Sequence, residues 1–248
     1  GKEFMQHLAR SGDDVVAVSS ARSALRACAV PSDIPVLQRF FKTGPGEYAE
    51  GDKFMGVRMP ATRRVARDFE DLPMAAVLDL LKSPVHEERL LALIILVNRY
   101  RKAAPVEQAG IYRNYLSHTG YINNWDLVDT SAEHIVGAYL LSRSRKPLYR
   151  LARSSSVWER RIAMISTFHF IKEGDFGETL NIATMLLGDT HDLIHKATGW
   201  MLREVGKRDL SCEESFLNQH GRNMPRTMLR YAIEKFPPQK RLRFMARA

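Results

Sequence analysis

Apolar residues recur at spacings of three and four from Ser19 to Val30 and again from Ser32 to Lys42, the pattern of one helix face. Two helices are predicted there, with Pro31 and Pro35 near the second start, where a ring locked at φ near −65° is tolerated. The run Thr43-Gly44-Pro45-Gly46-Glu47-Tyr48-Ala49-Glu50-Gly51-Asp52 breaks the period and predicts a substantial loop of plain connecting character, ahead of Phe54-Met55-Gly56-Val57. After Pro60 the helical pattern is nearly continuous. It covers Ala61–Phe69, Pro73–Lys82, Pro84–Lys102, Pro105–Ser117 and the stretch from Asn123 to Leu141. It resumes over Pro147–Arg153, Val157–Lys172, Phe176–Leu187, Asp192–Gly206, Leu210–Gln219, Pro225–Lys235 and Pro238–Met245. Strand-like alternation is absent. Short connections between so many short helices predict consecutive antiparallel pairs, hence an all-α protein, an α-solenoid of HEAT-like units. Residues 1–18 are expected to be an N-terminal extension or cloning remnant, and 19–248 a single helical-repeat domain.

Composition narrows the partners. A chain of 248 residues, 45% hydrophobic and 26% charged, is long enough to bury a sizeable core. Lys and Arg outnumber Asp and Glu by 37 to 28, a net charge of +9, which favours polyanions such as nucleic acid. Cys28 and Cys212 are far apart and lack a CxxC partner, so reduced thiols are expected rather than a disulfide or a zinc site. Even the apolar run Leu90–Val97, bounded by Arg89 and Arg99, falls well short of the roughly 18 residues of a membrane span. Gly1-Lys2-Glu3-Phe4 has neither an initiator Met nor the apolar region of a signal peptide, so the start is expected to be a cloning remnant or an internal beginning and carries no functional weight.

The stretch Asn123-Asn124-Trp125-Asp126-Leu127-Val128-Asp129-Thr130 carries the candidate chemistry. Positions i and i+4 stack on one helix face, so Trp125 and Asp129 present an aromatic plate beside a carboxylate, a pair able to flank a developing cation. A half-buried tryptophan next to a helix-start acid would give the same pattern. Spacing adds weight: Arg161 follows Trp125 by 36 residues and Trp200 follows Arg161 by 39, each close to one helix-pair period of roughly 40. Equivalent positions of stacked repeats line one concave face, so Trp125, Asp129, Arg161 and Trp200 are expected to converge on a basic concavity. Arg203, three residues beyond Trp200, shares its face.

These landmarks resemble the bacterial HEAT-like alkylpurine DNA glycosylases of the AlkD type. The resemblance is carried by Trp125-Asp126-Leu127-Val128-Asp129, by Val157-Trp158-Glu159-Arg160-Arg161-Ile162-Ala163 and by Lys196-Ala197-Thr198-Gly199-Trp200-Met201-Leu202-Arg203-Glu204. Phe54-Met55-Gly56-Val57-Arg58-Met59-Pro60 is similar to the family's start of a second helical unit. The resemblance implies a monofunctional glycosylase that hydrolyses the N-glycosidic bond of N3- or N7-alkylated purines in double-stranded DNA. It implies Trp125, Asp129 and Trp200 as catalytic residues around the deoxyribose, and Arg161, Arg203 and Tyr48 as DNA contacts. It further implies cleavage without flipping the base into a pocket, in contrast to the usual route. No metal or cofactor is expected, nor a membrane or an obligate protein partner, and a cytoplasmic monomer acting on alkylated duplex DNA follows. Where the family has two adjacent tryptophans this chain has Asn124-Trp125, a departure that bears on substrate range. Two other functions stay open: a noncatalytic HEAT-like protein binding branched or distorted DNA, and a helical-repeat scaffold for protein partners, which would present an apolar groove.

Other features invite less chemistry. The Gly-rich loop lacks the Gly-Lys-Ser/Thr of a phosphate loop. His191 and His195 have i, i+4 spacing but no third ligand, which favours a helical surface or packing role. Asp126 is expected to be a helix-start acid and Glu133 a solvated neighbour. His86-Glu87-Glu88-Arg89 is expected to open a long helix, and Lys240-Arg241-Leu242-Arg243 to be a solvated helix end.

Overall fold

A computed structural model describes the backbone of residues 2–247 and the side chains of residues 12–247. The chain divides into two units, residues 1–131 and 132–248. The first contains α1 (Lys2–Arg26), α2 (Ile34–Phe40), α3 (Met59–Asp68), α4 (Met74–Leu81), α5 (His86–Lys102), α6 (Pro105–Ser117) and α7 (Trp125–Ala132), whose last residue falls in the second. The second opens with a π-helical turn, Glu133–Gly137, and α8 (Ala138–Leu140). It continues through α9 (Lys146–Ala152), α10 (Val157–Lys172), α11 (Gly177–Met185), α12 (Asp192–Arg208), α13 (Leu210–His220), α14 (Arg226–Ala232) and α15 (Pro238–Arg247). The fold is all-α, as the periodicity predicts. Helix α1 starts earlier and ends sooner than the expected Ser19–Val30, because a turn at Ala27 and Cys28 closes it.

Proline at N1 or N2 opens α3, α6 and α9, where its missing N–H has no helical acceptor to lose. Ser156 caps α10 by accepting from Glu159 N, and Asp209 caps α13 by accepting from Cys212 N at 3.1 Å. His191 caps α12 through Nδ1, which accepts from Leu193 N at 3.1 Å, while His195 Nε2 bonds the Asp189 carbonyl. Both imidazoles, expected to have a helical surface or packing role, are thus tied to backbone at the start of α12. No helix among the described residues is long and apolar enough to cross a membrane.

Helix α5 is the axis of the first unit. Leu90 through Val97 are all buried, so apolar side chains leave this helix on every side and it must be surrounded. Helices α3 and α4 pack on it, and α1 packs on both of them. In the second unit α10 and α12 play the same part, α10 between α9, α11 and α12, and α12 against α13 and α14. Leu202, Phe216, Met228, Leu229 and Phe236 meet in its core.

Gly199 lets α12 approach α14. A Cβ there would stand 2.4 Å from the Met228 carbonyl oxygen and 2.5 Å from Tyr231 Cβ. Both obstacles belong to backbone or to a short rigid stem, so neither yields cheaply. Gly199→Ala is expected to lower stability by about 1–3 kcal/mol, read as a fall in the urea midpoint with an unchanged slope.

Candidate functional site

Helix α7 buries Asp126, Leu127, Val128, Ser131 and Ala132, and leaves Trp125, Asp129 and Thr130 partly exposed. Of these, Trp125 and Asp129 share one face at i, i+4. Backbone and side chains at the helix start are tied locally. Trp125 N donates to Asn124 Oδ1 at 2.7 Å, Val128 N to the Asn124 carbonyl at 3.2 Å, and Leu127 N to Asp126 Oδ1 at 2.9 Å. Asp129 also acts on the buried Tyr115, whose hydroxyl meets Ser131 Oγ at 2.8 Å. Burial, and then the Asp129 charge, raise that phenol despite the Ser131 bond.

An aromatic wall stands behind Trp125. Phe41 stacks on it with ring centroids 5.3 Å apart and planes 28° from parallel. Phe41 in turn stacks on Phe54 at 5.3 Å, and Phe54 on the His86 imidazole at 4.6 Å. Phe40, 58% exposed, meets Trp125 edge-on at 5.5 Å, so a large apolar ring is offered to solvent beside the tryptophan. Tyr48, expected to contact DNA, is half-buried in the loop preceding Phe54. Sequence reasoning missed Phe40. The signal was Phe40-Phe41 at the end of a predicted helix, which a periodicity count assigns to the core.

His86 is 1% exposed and bonded on both nitrogens to carboxylates: Nδ1 to Asp52 Oδ2 at 2.8 Å and Nε2 to Asp126 Oδ2 at 2.7 Å. Arg89 Nη2 reaches both oxygens of Asp52 at 3.0 Å and Asn123 Oδ1 at 3.1 Å, while its Nη1 holds the Ser83 carbonyl. Burial pushes the imidazole down, but the carboxylates of Asp126 and Asp52 outweigh it and raise His86 to about 9. Burial likewise pushes Asp52 up, and its bonds to His86 and Arg89 outweigh that and lower it. Next along the helix, Glu87 accepts from three successive backbone N–H groups, Met55 at 2.9 Å, Gly56 at 2.7 Å and Val57 at 2.9 Å. Gly56 sits at φ 89°, and a Cβ there would lie 2.2 Å from the Val30 carbonyl oxygen. Glu88 takes bonds from Ser83 Oγ at 2.5 Å and from Arg22 Nε of α1 at 2.9 Å.

Three expectations are corrected by this arrangement. The loop from Thr43 to Asp52 is no plain connector, since Asp52 at its end is clasped by His86 and Arg89. Asp126 is more than a helix-start acid, because Oδ2 holds His86 while Oδ1 takes the Leu127 N–H. Glu133 is not solvated. It is 8% exposed and receives Lys172 Nζ at 2.8 Å.

In the second unit, Trp200 is partly exposed on α12 and meets Phe168 edge-on at 5.7 Å. Lys172 Nζ lies 4.2 Å over the Phe168 ring. Arg161 is 5% exposed, with Nη1 donating to the Leu193 carbonyl at 2.6 Å. Its neighbour Arg160 has a different task, donating through Nε to Asp189 at 2.7 Å and through Nη1 to the carbonyls of Ser154 and Ser155. Arg203 is ion-paired with Glu234 and donates to the Tyr231 carbonyl. Within each unit, then, Trp125 shares a face with Asp129, and Trp200 lies one helical turn from Arg203 on α12. On α9 and at its C-cap, Lys146, Arg150 and Arg153 with Tyr149 line an open hollow of about 640 Å³, and none of the three cations is ion-paired among the described residues.

Comparison with known proteins places these groups in context. The family model described as "DNA alkylation repair enzyme" matches residues 21–236. The chain is similar in fold to a solved structure from Enterococcus faecalis described as a "predicted DNA alkylation repair enzyme", with a TM-score of 0.65 and 13% identity. That likeness covers 85% of this chain and 97% of the other. No curated protein matches by sequence.

The raised His86 value fixes the sign of a pH effect. A group held above its ordinary value of 6.5 gives its full stabilisation below that value and loses it as pH rises through about 9. Urea unfolding is expected to show a loss on the order of 2 kcal/mol between pH 7 and pH 9.5, flattened in Asp126→Asn.

Proposed function

The chain belongs to the DNA alkylation repair enzyme family, and from that premise we propose that it is a monofunctional DNA glycosylase. In this reading it hydrolyses the N-glycosidic bond of cationic N3- or N7-alkylated purines in double-stranded DNA and leaves an abasic site. The observation that carries the reading is the partly exposed face of α7, where Trp125 and Asp129 stand together while Leu127 and Val128 are buried.

The chemistry suits such a face. Alkylation has already made the purine a cation, so the C1′–N9 bond breaks with its electron pair returning to the purine, which leaves neutral. No strong general acid is required. Positive charge grows on the deoxyribose instead, and a nearby carboxylate stabilises it by a few kcal/mol, on the order of what one well-placed group supplies. Water then adds its oxygen to C1′ and gives a proton to Asp129, which passes it to solvent. Trp125 and Trp200 offer π faces, each worth roughly 0.5–2 kcal/mol to a neighbouring cation. Phe40 extends the aromatic surface beside Trp125, and Tyr48 contributes a DNA contact from the same unit.

Arg161 and Arg203 take different parts in this reading from exposed phosphate clamps. Arg161 is buried and hydrogen-bonded, so it serves as a fixed positive charge set behind the surface. Arg203, held by Glu234, is exchangeable between that carboxylate and a phosphate. Lys146, Arg150 and Arg153, not ion-paired among the described residues, supply cations for the DNA backbone. The protein acts as a cytosolic monomer without cofactor.

Incubation of methylated duplex DNA with the protein is expected to release 3-methyladenine or 7-methylguanine, and Asp129→Asn to slow release roughly 100-fold at saturating protein. Equal release by wild type and variant would remove Asp129 from the chemistry. DNA binding without release by wild type would favour the noncatalytic DNA-binding reading. Replacing Lys146, Arg150 and Arg153 together by Ala is expected to reduce the slope of log affinity against log salt by about 2–3 on duplex of any sequence.

A further inference from the structure

Four consecutive charged residues open α5, and each is committed to a different piece of backbone or side chain around it. Glu88 fastens α1 and Glu87 fastens the segment Met55–Val57. His86 and Arg89 converge on Asp52 and, from there, on the start of α7: His86 through Asp126, Arg89 through Asn123. Those two contacts flank Trp125 in the chain. A third path reaches it through rings, since His86 lies 4.9 Å from Phe41, and Phe41 stacks on Trp125.

The protonation state follows from the hydrogen bonds. An ionised carboxylate only accepts, and a neutral imidazole has one donor. Two carboxylate oxygens at 2.8 and 2.7 Å from the two ring nitrogens therefore require both nitrogens to donate, which only the imidazolium does. The groups facing the ring are Asp52 from the loop, Asp126 from α7 and Arg89 from α5, so two cations meet two anions. The cluster is internally neutral. It can fix geometry behind Trp125 without adding a net charge that would oppose a cation in front of it.

We propose that His86 is a positioning residue for the reaction: as an imidazolium held between Asp52 and Asp126, and stacked through Phe41 on Trp125, it sets the start of α7 and the plane of the tryptophan, so that Trp125 and Asp129 meet the deoxyribose in a preset geometry. The inference rests on the glycosylase reading for its catalytic consequence, but not for its structural one. Neutral loss of either partner leaves a buried charge unmatched and frees the helix start, and displacement of about 1 Å at a reacting centre costs as much as 100-fold in rate.

The test uses the full chain with Trp158→Phe and Trp200→Phe for fluorescence, which leaves Trp125 as the sole reporter, and the otherwise native chain for activity. His86→Gln and Asp126→Asn are compared with Glu88→Gln, which disturbs a buried carboxylate of the same helix that holds Arg22 of α1 and Ser83. Both site variants are expected to shift Trp125 emission and increase its quenching by acrylamide well below the unfolding temperature. Single-turnover base release should fall roughly 10- to 100-fold while duplex Kd changes by less than about threefold. Glu88→Gln should lose stability and show neither effect. In the unsubstituted His86 background, Trp125 emission should titrate near pH 9. Should His86→Gln fail to fold, Asp126→Asn and this titration decide. Trp125 emission and release rates in folded site variants that match Glu88→Gln, or a titration near 6.5, would overturn the proposal. A wild type that releases no base would sink the glycosylase reading alone, with the fluorescence arm still deciding whether His86 sets Trp125.

Discussion

A buried imidazolium bonded on both sides to carboxylates is the interaction on which the first unit depends. Such a group is held only where every member is matched, since removing one partner of a buried pair typically costs about 3–5 kcal/mol. Here the matching is distributed over distant parts of the chain: Asp52 from a loop, His86 and Arg89 from the central helix, Asp126 from the helix that carries Trp125 and Asp129. Hydrophobic burial around Leu90–Val97 is strong but undirected, and would tolerate small rotations of α7. Hydrogen bonds of fixed length between charged groups would not. The polar cluster therefore supplies the direction that the apolar core lacks, and the stacked rings of Phe54, Phe41 and Trp125 extend that direction to the surface.

The cluster's neutrality matters for the chemistry proposed. A cationic lesion beside Trp125 is favoured by a carboxylate in front of it and no net positive charge directly behind that ring, a condition that an unpaired His86 or Arg89 would breach. Pairing each cation with an aspartate removes that conflict while keeping the rigidity. In the second unit the same economy recurs in Arg160 with Asp189 and Arg203 with Glu234, whereas Lys146, Arg150 and Arg153 have no ion-pair partner among the described residues.

Much of this was legible from residue order, for physical reasons. Helix boundaries such as Val157–Lys172 and Pro105–Ser117 follow from apolar period and from Pro or Ser at the start, both local effects. The shared face of Trp125 and Asp129 follows from 3.6 residues per turn. The His86 cluster was not legible, because Asp52, His86 and Asp126 are brought together only by tertiary packing. His-Glu-Glu-Arg at a helix start looks like four solvated charges, although its place directly before eight consecutive buried apolar residues was the hint that it too lies inside. Glu133 was misjudged for the same reason, its partner Lys172 being contributed by another helix. The exposure of Phe40 was hidden by the rule that aromatics at helical spacing belong to a core.

The central claim is that Asp129, presented beside Trp125 on a rigidly set helix, stabilises positive charge on deoxyribose. The most direct measurement compares the affinity of the protein for duplex DNA holding a cationic azasugar in place of one deoxyribose with its affinity for the same duplex holding a neutral tetrahydrofuran. The account predicts tighter binding of the cationic duplex by roughly 100-fold or more, and loss of that preference in Asp129→Asn. Equal affinity for the two duplexes, or a preference that survives Asp129→Asn, would contradict it.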